Sequence, residues 1–165
     1  MDKLLNHIEN LKNSSVKKVI DNRIKEFKDV GMKSANEIFK ELCFCLLTAN
    51  YNAEKSIKIQ NELGNGFLTL SESDLVGTLK KFGHRFPNAR AKFILESRKH
   101  KDSVKDILIS FKNEDEAREW LVKNVKGLGY KEASHFLRNI GYENCAIIDF
   151  HIIDLLVRHK LIEKP

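Results

Sequence analysis

Apolar residues recur along this chain at three- and four-residue intervals, the spacing of a helix with one face turned to a core. Leu4, Leu5, Ile8 and Leu11 form one stripe, and Val16, Ile20, Ile24 and Phe27 a second. Ser34 is placed to cap a longer apolar helix through Ile38, Phe39, Leu42 and Leu46 towards Asn50. Ile57, Ile59 and Leu63 follow, and Gly64-Asn65-Gly66 ends that segment. Ser71 with Asp74 reads as a capping pair ahead of Leu75, Val76, Leu79 and Phe82, with Gly83 as the stop. Pro87 suits the first turn of a helix carrying Phe93, Ile94 and Leu95. Asn113 with Glu116 opens another, bearing Ala117, Trp120 and Leu121. After the tight break Lys126-Gly127-Leu128-Gly129, a helix runs through Ala133, Phe136, Leu137 and Ile140 until Gly141. Asp149 is placed to cap a last helix from Phe150 to about Lys160. The one β-like run, Cys145 to Ile148, is too short to found a sheet. The pattern predicts an all-α protein, without repeats, low-complexity tracts or flexible linkers.

The composition agrees. The 165 residues amount to about one domain, long enough to bury a core without a metal or disulfide staple. Two prolines and eight glycines are too few for the turns of a β-sandwich. No apolar run approaches the roughly 18 residues of a membrane span, and charges interrupt the N-terminus where a signal peptide needs its apolar centre. A soluble, intracellular chain is expected. Three cysteines make no disulfide framework. Cys43 and Cys45 stand two apart on a helix and point to roughly opposite faces, so they read as small buried hydrophobes. The six histidines form no metal-binding spacing, and neither a metal site nor an iron–sulfur cluster is expected.

Charge adds one feature. The chain carries a formal +6, yet from Lys80 to Lys101 eight basic residues face a single acid, Glu96. These are Lys80, Lys81, Arg85, Arg90, Lys92, Arg98, Lys99 and Lys101. The stretch is either a solvated helix face or a surface for a polyanion.

The segment Val125 to Asp154 carries candidate chemistry. Two helices around Gly127-Leu128-Gly129 form a helix–hairpin–helix, with glycines that open backbone geometries closed to other residues. The free N–H groups at the start of its second helix can seat a phosphate, gripping a DNA backbone without reading sequence. Taken alone, the hairpin is also compatible with an ordinary helical turn or a non-enzymatic DNA clamp. Lys131 lies in the first turn of the second helix, where the helix dipole disfavours its protonation and partial burial would act in the same direction. A neutral amine is the form that attacks a sugar carbon. Asp149, eighteen residues on, precedes the last helix, so the chain can fold back and set a carboxylate before the amine. Each residue alone also fits a plain role: surface lysine, structural N-cap.

Together they resemble the helix–hairpin–helix DNA glycosylase superfamily, in which a Lys-Gly-aliphatic-Gly-x-Lys-x-Ala hairpin precedes the catalytic aspartate by this interval. The likeness is closest to the archaeal type of 8-oxoguanine DNA glycosylase/AP lyase. It rests on GYKEASHFLRNIGY, on the ELCFCLLTAN block from Glu41 to Asn50, and on GHRF from Gly83 to Phe86. It runs from the N-terminus to roughly Lys160.

The resemblance implies two helical subdomains with the active site between them. One is residues 34–141, including the hairpin 114–140; the other combines 1–33 with 142–165. It implies excision of 8-oxoguanine from double-stranded DNA by a cytoplasmic, nucleoid-associated monomer that needs no cofactor. Lys131 would be the nucleophile that forms the Schiff base preceding β-elimination, and Asp149 the essential carboxylate. Gly127 and Gly129 would offer amides to a phosphate, and Asn50 would fill the gap left by the everted nucleotide. Phe86 would stack on the flipped base, with His84 and Arg85 against the DNA and the basic stretch tracking phosphates around them. Two departures stand out. Phe150 follows Asp149 where the family has arginine. Relatives also continue some tens of residues past the equivalent of Pro165, adding helices, a second aromatic wall and a terminal lysine that recognise the base. The fold is therefore expected to be shortened at its C-terminal end. The alternative reading is a non-catalytic helix–hairpin–helix DNA-binding module or an impaired glycosylase homologue.

Overall fold

The computed structural model describes residues 2–164, and among them every regular element is helical. The chain runs α1 (Asp2–Lys12), α2 (Ser15–Gly31), α3 (Ala35–Thr48), α4 (Ala53–Leu63), α5 (Gly66–Thr69) and α6 (Glu72–Lys81). It continues through α7 (Pro87–Ser97), a 3₁₀ turn at Arg98–His100, α8 (Val104–Ile109), α9 (Glu114–Asn124), α10 (Tyr130–Asn139) and α11 (Phe150–Arg158). The caps explain most of these limits. The Ser34 hydroxyl accepts from the Glu37 amide at 3.4 Å, Ser71 from Asp74 at 3.2 Å and Asn113 from Glu116 at 2.9 Å. Asn52 caps α4 in the same way, accepting from Lys55 at 3.0 Å.

The central element is α3. Ile38, Phe39 and the unbroken run Leu42–Leu47 are all buried, so the second half of the helix is apolar on every side and other helices must surround it. It packs on α4, α5, α7, α8 and α10, while α6 packs on α7 and α9 on α10. The thiols of Cys43, Cys45 and Cys145 are free and buried, and burial pushes all three upward in pKa. The C-terminal end of α2 reaches this body against α10, where Gly31 lies so close to the Ile140 carbonyl that no Cβ fits.

Several expectations change. Gly66 opens the short helix α5 instead of only ending α4, and α8 is an added element. Residues Cys145–Ile148 form no strand. The stripes of α1 and α2 are not a core face: Leu5, Ile8, Leu11, Val16, Ile20 and Ile24 are exposed, and α2 buries no side chain. The last helix, α11, is the same, with Phe150 65 % exposed. The buried apolar residues fall between Ile38 and Cys145. The terminal limits of the expected subdomains, Met1 and Pro165, lie outside the described residues.

Candidate active site

The hairpin is built from α9, α10 and the segment between them. Gly127 has φ +89°, and a Cβ there would run into the Phe93 ring, so both backbone and space demand glycine. Leu128 is buried and anchors the turn. The reason for Gly129 is different from the one expected. It sits at the N-cap of α10 with φ −90° and ψ 178°, a conformation open to any residue. No side chain caps α10, so the first-turn amides from Tyr130 to Glu132 lack a capping partner, and the Glu132 carboxylate folds back to within 3.1 Å of where a Cβ on Gly129 would stand. Lys126 beside it pairs at the surface with Glu96 at 3.5 Å.

Lys131 stands in that first turn, on a helix anchored underneath by buried Ala133, Phe136 and Leu137. The partial burial expected of it is not found; Lys131 is exposed. Asp149 caps α11, its Oδ1 accepting from the Ile152 amide at 3.0 Å. That hydrogen bond holds the carboxyl below its ordinary pKa, and the positive charges of His151 and Lys131 act in the same direction. Phe150, where arginine was expected, lies at the surface with its ring 4.1 Å from that of His151.

One turn beyond Lys131 on α10 stands His135, which burial and the charges of Arg138 and Lys131 push down to about 4. Arg138 reaches towards α2, its guanidinium 5.4 Å from the centre of the Phe27 ring. Beyond it a cleft of about 500 Å³ separates α2 from α3, α4 and α10. Glu41 lines this cleft, accepting from Asn139 at 2.7 Å and Gln60 at 3.3 Å, with burial raising its pKa.

Asn50 and Phe86 occupy a separate edge. Asn50 follows α3 in the left-handed region at φ +55°, exposed, a conformation that costs energy for any residue except glycine. Phe86 precedes α7 and is 37 % exposed, with the guanidinium of exposed Arg85 4.9 Å from its ring centre. His84 requires a correction. It is only 5 % exposed and has both ring nitrogens engaged inside the protein, so it offers none to DNA. Its Nδ1 accepts the Phe86 N–H at 3.0 Å, which puts the proton on Nε2, 3.0 Å from the Leu47 carbonyl. The basic stretch is corrected in part as well. Arg90 is buried and donates to the Ala49 carbonyl at 2.6 Å, while Arg98 donates to the carbonyls of Phe67 at 2.8 Å and Gly66 at 3.2 Å. Lys80, Lys81, Arg85, Lys92 and Lys99 remain exposed. The inward roles of His84 and Arg90 were not legible because nothing in the local sequence marks side chains turned to the end of α3, which lies far back in the chain.

With this geometry in place, comparison with known proteins is direct. The profile of the Ogg-HhH family, 8-oxoguanine DNA glycosylase, matches residues 20–165. The chain belongs to this family. A family member from Methanocaldococcus jannaschii, named 8-oxoguanine DNA glycosylase/AP lyase, is 55 % identical over 161 residues, covering 98 % of this chain and 77 % of its own. One of the same name from Korarchaeum cryptofilum is 52 % identical over 164 residues, covering 99 % of this chain and 78 % of its own. The crystal structure of the Methanocaldococcus jannaschii 8-oxoguanine glycosylase/lyase in complex with a 15mer DNA containing 8-oxoguanine superimposes with a TM-score of 0.93. It shares 54 % identity, over 99 % of this chain and 78 % of that one. The all-α helix–hairpin–helix glycosylase fold of the family is therefore the fold of this chain. Among the described residues no helix is long and apolar enough to cross a membrane.

Proposed function

We propose that this protein is a base-excision repair DNA glycosylase with AP lyase activity, removing 8-oxoguanine from double-stranded DNA as a monomer. The two-subdomain reading belongs to this proposal: α1 and α2 with the chain's end on one side, the α3–α10 body on the other, DNA across the cleft. The observation that supports the chemistry is a pair of groups at two helix starts: Lys131 in the first turn of α10 and Asp149 at the N-cap of α11. An exposed amine stands at the mouth of an uncapped helix, and a carboxylate held ionised senses its charge.

The base must leave the duplex before its sugar can meet this pair. Asn50 enters the vacated space and Phe86 stacks on the everted base. The amides at the start of α10, beside Gly127 and Gly129, hold a neighbouring phosphate. Lys131 Nζ then attacks C1′ and the bond from C1′ to N9 breaks, its electron pair leaving with the base. Asp149 offsets the positive charge that builds on the sugar. Loss of one amine proton lets the nitrogen lone pair open the ring, O4′ taking up a proton, and gives an iminium at C1′. A proton leaves C2′, the C3′–O bond breaks, and water releases Lys131 from the cleaved strand. The amine supplies the covalent step, and no cofactor enters it.

The test is a strand-cleavage assay on a duplex with a single 8-oxoguanine. The wild-type chain should release the base and nick the strand. Lys131→Gln should bind the duplex yet lose nicking by at least about a hundredfold, and Asp149→Asn, which keeps the N-cap, should fall similarly. Salt-sensitive binding with no product from the wild-type chain would favour the DNA-binding module instead.

A further inference from the structure

The Leu47–Asn50 helix end and the Gly83–Phe86 turn are far apart in sequence, yet buried polar contacts join them. His84 spans the two, its Nε2–H donating to the Leu47 carbonyl and its Nδ1 accepting from the Phe86 amide, both at 3.0 Å. The Tyr51 ring lies over the imidazole at 4.1 Å between centres, and its hydroxyl donates to the Gly83 carbonyl at 2.9 Å. Arg90 adds a parallel tie, donating to the Ala49 carbonyl at 2.6 Å while its guanidinium stands 5.7 Å from the centre of the Phe86 ring. The residues so joined are the two most unusual at this edge: Asn50 with a positive φ, and Phe86, an aromatic side chain left partly in water. A helix end carrying a strained residue needs outside support to hold its shape.

We propose that His84, with Tyr51, is a positioning residue that locks Asn50 and Phe86 into one rigid unit, so that filling the gap in the duplex and receiving the everted base occur as a single movement. The proposal rests on the roles given above to Asn50 and Phe86. The bond from the Phe86 amide to Nδ1 needs the neutral ring, and burial, with the positive charge of Arg90 beside it, pushes the His84 pKa down. A neutral imidazole with one donating and one accepting nitrogen can bridge an amide and a carbonyl; neither lysine nor arginine can, because they only donate.

Two variants divide the bridge. His84→Gln can keep a donor near the position of Nε2 and loses the acceptor for the Phe86 amide. His84→Asn can keep that acceptor and loses the link to Leu47. Each is assayed on an 8-oxoguanine duplex and on a duplex with a preformed abasic site, which needs the sugar at Lys131 but no base on Phe86. Both should lose at least about tenfold in base excision and change less than about threefold in abasic-strand cleavage. Tyr51→Phe, which removes the hydroxyl's bonds to the Gly83 and Phe82 carbonyls and keeps the ring on the imidazole, should show a smaller loss of the same kind. It decides the matter if the His84 variants melt below the assay temperature. Excision at the wild-type rate in the folded variants overturns the proposal, and so does a parallel fall on both substrates. Phe86→Ala and Asn50→Ala serve as controls. If they excise normally, the roles given to those residues fail along with the coupling; if only they are impaired, the coupling alone fails.

Discussion

Two helices of this protein are rich in apolar residues, and the fold treats them in opposite ways. In α3 the run from Leu42 to Leu47 is entirely buried, ringed by helices. In α11 no side chain is buried, and Phe150 and Ile152 face solvent. Both start at a side-chain cap, Ser34 in one and Asp149 in the other. Apolar content therefore sets where a helix forms, while the neighbours that surround it set how firmly it is held. The difference extends to whole regions. The α3–α10 body encloses the core, whereas α1, α11 and the N-terminal part of α2 lie outside it with none of their apolar residues buried. The proposed chemistry spans this divide: Lys131 stands on the rigid body, and Asp149 caps a helix with little packed against it.

The sharpest way to break that comparison is to truncate one phenylalanine on each side. Phe136 is fully buried on α10, and Phe136→Ala should cost about 3–5 kcal/mol in denaturant unfolding. Phe150→Ala should stay within about 0.5 kcal/mol. Equal losses would mean that α11 is packed as tightly as the body. Next come the hairpin glycines. Gly127→Ala must place a Cβ into the Phe93 ring at a positive φ and should cost about 1–3 kcal/mol by the same assay. Gly129→Ala, with its ordinary φ, should leave stability nearly unchanged.

A smaller effect separates the regions by pH. His135 lies on the body's face, surrounded by Arg138, Lys131 and Glu132, with its pKa pushed from 6.5 down to about 4. Between those values the unfolded chain binds a proton that the folded one does not, so stability falls as pH drops through this window. His135→Gln should flatten that part of the melting-temperature profile. A wild-type slope retained in the variant would assign it to other groups. The smallest effect is expected at Val19, exposed on α2, where Val19→Lys should shift stability by no more than about 0.5 kcal/mol. A larger loss would show that this face is covered.

Much of the secondary structure was legible because it depends on local chemistry. Ser34, Ser71, Asn113 and Asp149 bond amides three residues away, and Pro87 opens its helix from the first position. Periodicity also located α1 and α2, but it reports a face and not what covers that face, so their exposure was not legible. The short helices α5 and α8 escaped notice because each is shorter than the window in which a helical period can be counted. In the candidate site, Lys131, Asp149 and the two glycines stood out because together, along one stretch of chain, they resemble the family's hairpin; each alone also fitted a plain structural role. The link from His84 to Leu47 joins residues 37 apart and exists only once α3 and the GHRF turn are folded together. Arg90 illustrates the same limit, since a charge count cannot separate a guanidinium that meets solvent from one turned in to a carbonyl.

The central claim is that Lys131 becomes covalently joined to the sugar. Borohydride reduction during turnover on a duplex with one 8-oxoguanine, followed by digestion and mass spectrometry of the trapped adduct, tests it directly. The account predicts the deoxyribose remnant on the peptide containing Lys131, and no adduct from Lys131→Gln. An adduct on another lysine, or one that persists undiminished in Lys131→Gln, would contradict it.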